Sequence, residues 1–409
     1  MASLLVRLLL LLACGFAALS SSVAAALGLE EERILAFSTV VGLLLLLPFL
    51  VRPRLCRPGA AVLLLTLLAA VMVLVDLAGR FDPLDARIAL PVLVLLAGPN
   101  LARLLPPEAL TRFAWRLLSA YVTVTFAYQV LAEPAAVARG YESIVRYDPT
   151  GSVVMHSSLS LIQLLMALTR LSQPLRLPAR LATLALAAMA LAMVFLTATR
   201  TAGVTLALFA LLHLATTARP AWALAQVAVA GAGLAFTFAL WTLLVSDSFY
   251  LRLAGAQEHY SSGRWASIGH WLTLAADRPW GLGLGAVREL LAGGRPALDG
   301  TTLLEWPHNE IVRFYVEAGP PGLLFVVLLL AVVVRRAART ASADIDPVRR
   351  TLVLAVAADL VAEALLQNLL NAIYHATVLF LLLTLATTDA QPEPEPETPM
   401  PLADTVLDR

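Results

Sequence analysis

The stretch Leu181-Ala-Thr-Leu-Ala-Leu-Ala-Ala-Met-Ala-Leu-Ala-Met-Val-Phe-Leu-Thr-Ala198 holds no charge over eighteen residues. As an α-helix it would be about 27 Å long, close to the hydrocarbon thickness of a bilayer. It reads as a helix that crosses lipid. Arg200 stands just beyond it, and another apolar run follows at 203–217. Working outward from this pair, similar runs lie at 4–27, 34–51, 60–78, 88–104, 117–134, 151–169, 222–246, 320–334, 351–370 and 372–388, which makes twelve in all. Helices satisfy their backbone hydrogen bonds inside one segment, and most of these runs are about twice the length of a barrel strand. The expected fold is all-α: a polytopic integral membrane protein with about 12 transmembrane helices and one long external loop containing short helices.

Composition agrees with this reading. Of 409 residues, 60% are hydrophobic and 14% charged, and the mean hydropathy is +0.82, far above that of a soluble domain. A formal net charge of +1 leaves no electrostatic footprint for nucleic acid. Cys14 and Cys56 lie in or beside apolar runs and make neither a disulfide framework nor a metal site. All 29 basic residues are arginine. Genomic composition is the simplest account, although arginine also suits phosphate, since it stays charged and presents a planar fork of donors.

The arginines orient the chain. Ala24-Ala-Ala26 resembles a signal cleavage site and Leu11-Leu-Ala-Cys14 a lipoprotein box, but only five leucines separate Arg7 from Ala13, and the first run is read as an uncleaved anchor. With the N-terminus inside, the short cytoplasmic loops hold fifteen arginines and the short external loops six. That asymmetry follows the positive-inside rule and puts both termini in the cytoplasm. The chain then divides into transmembrane helices 1–9 over 1–246, an external loop over 247–319, helices 10–12 over 320–388 and a tail over 389–409. The tail alternates proline with carboxylate from Gln391, can bury nothing, and is expected to be disordered.

The loop at 247–319 is the one long segment that is neither apolar enough for lipid nor a cytoplasmic loop. It contains Trp265, Trp271, Trp280 and Trp306, and indoles favour the water–lipid boundary. Arg264 to Asp277 lacks proline and spaces Trp265, Ile268 and Leu272 at helical intervals, which predicts an amphipathic helix along the interface, ended by Pro279 and the glycines after it. A second short helix is expected after His308, with Asn309 as its cap and Gly319-Pro-Pro-Gly322 as its stop. A histidine at a helix N-terminus feels the positive end of the dipole, which disfavours its protonation and keeps it available as a base. On spacing alone, a capping or packing histidine is the commoner case. Arg200 lies at the outer end of an apolar hairpin whose turn is too short for a free surface loop. It either snorkels to headgroups or points into the bundle, where it would need an anionic partner. With Arg264 it would supply fixed donors for a diphosphate.

The order of these motifs resembles a known family. Thr197-Ala-Thr-Arg-Thr-Ala-Gly203, then Arg264-Trp265 before Asp277-Arg-Pro-Trp-Gly-Leu-Gly-Leu-Gly285, then His308-Asn-Glu with Glu317-Ala-Gly-Pro-Pro-Gly322, is similar to the O-antigen ligase and polymerase superfamily. The likeness covers about Ala198 to Leu324. It implies a glycosyltransferase of the bacterial inner membrane, acting at the periplasmic face. The implied donor is a glycan on undecaprenyl pyrophosphate. The implied acceptor is lipid A–core oligosaccharide in a ligase and another lipid-linked repeat unit in a polymerase. The resemblance carries the family's arginines to Arg200 and Arg264 and its histidine to His308, with Asn309 in support. It implies no metal and no cofactor. The second arginine-containing loop of some polymerases is not evident in Arg139 to Gly151, which favours a ligase.

The rival from another class is a lipid-linked glycan transporter or flippase. Its support is Asp359 and Glu363, one turn apart on the run at 351–370, with Gln367 and Asn371 continuing the stripe. Against it, no matched pair of broken helices recurs in two related halves. The plainer account of the stripe is a polar seam between helices, through Gln163 or His156.

Overall fold

The computed structural model describes residues 59–77, 88–102, 107–132, 153–197, 199–217, 258–292, 304, 306–367, 369–371 and 373–387, with single positions at 4, 7, 8, 11, 40 and 228. The runs at 4–27, 34–51 and 222–246, the stretch Arg139 to Gly151 and the tail at 389–409 lie outside the described residues, apart from those single positions. Among the described residues the secondary structure is helical, with no strand.

The apolar runs become helices close to where hydropathy puts them. In chain order they are α1 (Ala60–Leu77), α2 (Ala89–Ala102), α3 (Pro107–Ala132), α4 (Val153–Leu171), α5 (Leu177–Thr197) and α6 (Arg200–Thr216). They continue with α7 (Glu258–Ala275), α8 (Ala286–Ala292), α9 (Glu310–Ala341), α10 (Pro347–Leu366), a 3-10 turn at Leu369–Asn371, and α11 (Ile373–Thr387). Val154–Leu171, Leu177–Phe195 and Glu310–Ala341 are long and apolar enough to cross a membrane, and α1, α2, α6 and α11 contain shorter apolar helices. Threonines inside these helices return their hydroxyls to the backbone one turn earlier, as Thr125 does to Tyr121 O at 2.7 Å and Thr183 to Ala179 O at 2.7 Å. An apolar environment thus meets no bare hydroxyl at these positions.

A helix with charged and polar residues along it sits at the centre. α10 packs against α4, α6, α9 and α11, and every residue from Thr351 to Leu360 is buried. It starts cleanly: the Asp346 carboxylate accepts from Arg349 N at 2.9 Å, and Pro347, which has no N–H to satisfy, follows at once. α5 and α6 do not form the expected hairpin. α5 packs mainly on α4 and α6 mainly on α10, although the link between them is short. Thr199 Oγ1 donates to Ser157 Oγ on α4 at 2.6 Å and holds that link in place.

The stop expected at Gly319 is a kink. Gly319 has φ 63° and ψ −151°, and the helix resumes directly through Pro320 and Pro321. α9 is thus a short arm, 310–319, joined to a long spanning segment.

Candidate functional site

The short arm of α9 begins at the sequence's candidate base. Asn309 is extended, and its Oδ1 accepts from Val312 N at 3.1 Å, so it is the N-cap anticipated from the sequence. Its Nδ2 donates to Leu365 O at 3.0 Å, tying the start of α9 to the end of α10. His308 has φ 45°, the one positive φ at a non-glycine among the described residues. Such a backbone carries strain that the surroundings must hold, and strain of this kind clusters at functional sites.

Behind His308 the arm contains a buried ion network that sequence reasoning left unassigned. Arg313 is 2% exposed; its Nη1 reaches Glu310 Oε2 at 3.1 Å and its Nε reaches Glu317 Oε2 at 3.2 Å. The Phe314 ring lies 5.0 Å from the guanidinium carbon. Glu310 Oε1 also accepts from Leu370 N at 2.6 Å, which fastens the 3-10 turn to the same arm. The i,i+3 and i,i+4 spacing of Glu310, Arg313 and Glu317 was the available signal. Arg313 is thus engaged by carboxylates.

The glycine motif is explained by the end of the arm. With the helix broken at Gly319, the last carbonyls need donors. Leu282 N supplies Val316 O at 2.8 Å and Gly283 N supplies Glu317 O at 2.9 Å. The two backbones come so close that a Cβ on Gly281 would meet Glu317 O at 2.5 Å, and one on Gly319 would fall on Pro279 O. Gly281 also has φ 74°. Asp76, at the end of α1, accepts from Leu284 N at 3.1 Å through Oδ1 and fixes the loop to the bundle.

The helix expected over Arg264 to Asp277 is α7. Its packed face is Ser267, Trp271 and Ala275, which are buried, while Leu272, on the face expected to lie along the interface, is 40% exposed. Trp271 forms a small core with Ala275, Val287, Leu304 and Val316, so this indole anchors α7 to the arm of α9. Trp280, at 61% exposure, keeps the surface position expected of a boundary residue. Arg264 lies two turns before Trp271, at a register position on the helix face that carries it.

Arg200 is the first residue of α6. The next residue, Thr201, accepts through Oγ1 from Gln367 Nε2 at 3.1 Å. One turn further along α6, Thr205 Oγ1 donates to Asp359 Oδ1 at 3.0 Å. α6 and α10 are therefore joined by two rungs, 201–367 and 205–359. Asp359 also accepts from Ser158 on α4, and Glu363 Oε1 is paired with His375 Nε2 on α11 at 2.7 Å. The stripe on α10 is a polar seam between helices, as its plainer account had it, but through other partners. Gln163 bonds Ser119 at 2.9 Å and His156 bonds Tyr121 at 2.6 Å.

The structure brings part of the sequence's constellation together. Asn309, next to His308, bonds Leu365 O, and Thr201, next to Arg200, bonds Gln367, so both motifs meet at the C-terminal end of α10. Arg264 belongs to the helix that packs on the arm starting just after Asn309. Atoms of Asp359, Glu363 and His375 lie within 4.8 Å of one another, a spacing that could hold a metal ion. Each of the three is already bonded within the seam, and a metal would have to displace those bonds.

An apolar helical bundle with a strained histidine, a capped arm and an arginine-bearing helix start at one end defines a membrane protein with a polar site at the ends of its helices. Residues 184–327 match the family described as O-antigen ligase, which supports the likeness to the O-antigen ligase superfamily. The match contains Arg200, Arg264, His308, Asn309 and the kink at Gly319, and it ends before α10. It supports a glycan-related function, in a family of glycosyltransferase-like enzymes whose substrates are lipid-linked glycans. No curated protein matches the chain.

Proposed function

We propose that the protein is a glycan transferase of the ligase type in the bacterial inner membrane. It moves a glycan from undecaprenyl pyrophosphate to lipid A–core oligosaccharide at the periplasmic face. The observation that carries this reading is that the His308 and Arg200 motifs, both inside the stretch that matches the ligase family, meet at the C-terminal end of α10. The apolar runs support twelve crossings, and the arginine asymmetry supports both termini in the cytoplasm and the site outside.

In the proposed reaction His308 takes the proton from an acceptor hydroxyl while that oxygen attacks the anomeric carbon of the donor. The new bond forms on the face opposite the diphosphate, the bond to the diphosphate oxygen breaks, and the configuration inverts. Arg200 and Arg264 stabilise the charge that develops on the leaving diphosphate, work for which no metal is required. The donor's polyprenyl tail enters sideways between helices.

The test is the surface lipopolysaccharide of a deletion strain, resolved beside its undecaprenyl-linked glycans. Bare core with polymer accumulating on the lipid carrier is the expected result. Core bearing a single repeat would make the protein a polymerase. An unchanged pattern would overturn both readings and point to another glycan or to the transporter.

A further inference from the structure

About 30 Å from His308, measured along α10, the far end of the bundle holds a cavity of about 490 Å³. It lies between the first turns of α3, the end of α4 and the turn that enters α10, and it is lined by Arg112, Trp115, Arg170, Glu108 and Asp344. Its size suits a small ligand or a headgroup. On the orientation argued from the arginines, this end faces the cytoplasm.

Of the charges around the cavity, two are committed to the fold. Arg349 is buried, with Nε on Ala386 O at 2.9 Å, and the Asp346 carboxylate caps α10. Four remain. Arg112 is exposed and, among the described residues, has no ion-pair partner. The Arg170 guanidinium lies over the Trp115 ring, 4.7 Å from its centroid, which fixes the plane of the group while leaving its N–H edges for a ligand. Glu108 and Asp344 are exposed carboxylates in the same lining. Two cations and two anions facing one cavity suit a ligand that carries both signs.

The surface beside the cavity distinguishes a lipid from a soluble ion. Leu175 belongs to the lining, and α5 begins just after it. Leu177, Leu181 and Leu184 are exposed at 69%, 57% and 47%. Their i, i+4, i+7 spacing makes one stripe that runs from the cavity rim along the bundle. We propose that this is an aminophospholipid site: Arg112 and Arg170 hold the phosphodiester, Glu108 and Asp344 receive the headgroup ammonium, and an acyl chain follows the leucines of α5. Basic pockets between spanning helices bind lipid headgroups, and here the carboxylates add the discrimination against purely anionic lipids.

The test is native mass spectrometry of the delipidated full-length protein, loaded from micelles with phosphatidylethanolamine, phosphatidylglycerol or inorganic phosphate alone. The expected result is a phosphatidylethanolamine adduct at least tenfold stronger than that of phosphatidylglycerol, unaffected by millimolar phosphate. Replacing both arginines (R112Q with R170Q) should weaken it about tenfold. The pair E108Q with D344N leaves the arginines and Trp115 in place. It should erase the preference for phosphatidylethanolamine while retaining phosphatidylglycerol, which separates loss of the site from loss of the fold. Equal adducts of the two lipids on the native protein would overturn the proposal. So would phosphate displacing the lipid, or an arginine double variant that binds as the native protein does.

Discussion

Arg313 has almost no water to fall back on: at 2% exposure its charge is balanced by Glu310 and Glu317, each 1% exposed. Breaking a buried pair by removing one partner costs about 3–5 kcal/mol, because the other charge is stranded. Arg313→Ala strands two carboxylates, one of which also receives Leu370 N. The expected outcome is a purified protein with a clearly lowered thermal midpoint; an unchanged midpoint would mean that the network does not hold the arm. His308 is the opposite kind of residue. Its side chain is half-buried and its strain is in the backbone at φ 45°, so His308→Ala should leave protein level and midpoint intact while abolishing glycan transfer, measured on extracted lipopolysaccharide. Retained transfer would remove His308 as the base. For Arg264 the informative change is to lysine, which keeps charge but not the planar fork. Arg264→Lys should lower transfer at least tenfold, and normal donor affinity in that variant would sink the diphosphate assignment.

At the scale of elements, the site depends on two backbone arrangements. The glycine loop supplies the last carbonyls of the short arm, and Gly281 and Gly319 meet where neither leaves room for a methyl group. Gly281→Ala should therefore loosen the arm and reduce transfer although it touches no proposed catalytic group; protease accessibility around Trp280, raised in the variant, is the check. The seam is the other arrangement. Gln367→Leu removes the rung nearest Arg200 but leaves Thr205–Asp359 to hold α6, so transfer should fall while the thermal midpoint stays within a few degrees, as expected for a group that only positions its neighbour. These elements also show what sequence could carry. Hydropathy places α4, α5 and α11 to within a few residues, and the Asn309 cap is legible because capping is a local property of residues three apart. The packed face of α7 is not legible locally: Trp271 is buried by Val316 and Leu304, far away in the chain. The hairpin of α5 and α6 fails for a related reason: a short link fixes where two helices meet and leaves open which neighbours they choose.

For the whole molecule, the distribution of charge and the path of α10 give one picture of direction. The α10 helix runs from Asp346, among arginines at one end, to Gln367, beside the motifs at the other. Arg335, Arg336, Arg339, Arg349 and Arg350 gather at its start, and the glycine loop, the arm of α9 and the beginning of α6 gather at its finish. If that axis crosses the bilayer, residues at its two ends must meet different aqueous compartments, whatever the reaction. Arg278 and Asp344 are both exposed and sit at opposite ends. In a background where Cys14 and Cys56 are replaced by serine, Arg278→Cys should react with a membrane-impermeant maleimide in intact cells. Asp344→Cys should react only after the inner membrane is opened. Labelling of both from outside would break the positive-inside assignment, and would take with it the periplasmic chemistry and the cytoplasmic leaflet of the lipid cavity together. Reversed labelling would keep the axis and invert the molecule, putting His308 in the cytoplasm and overturning the periplasmic reaction.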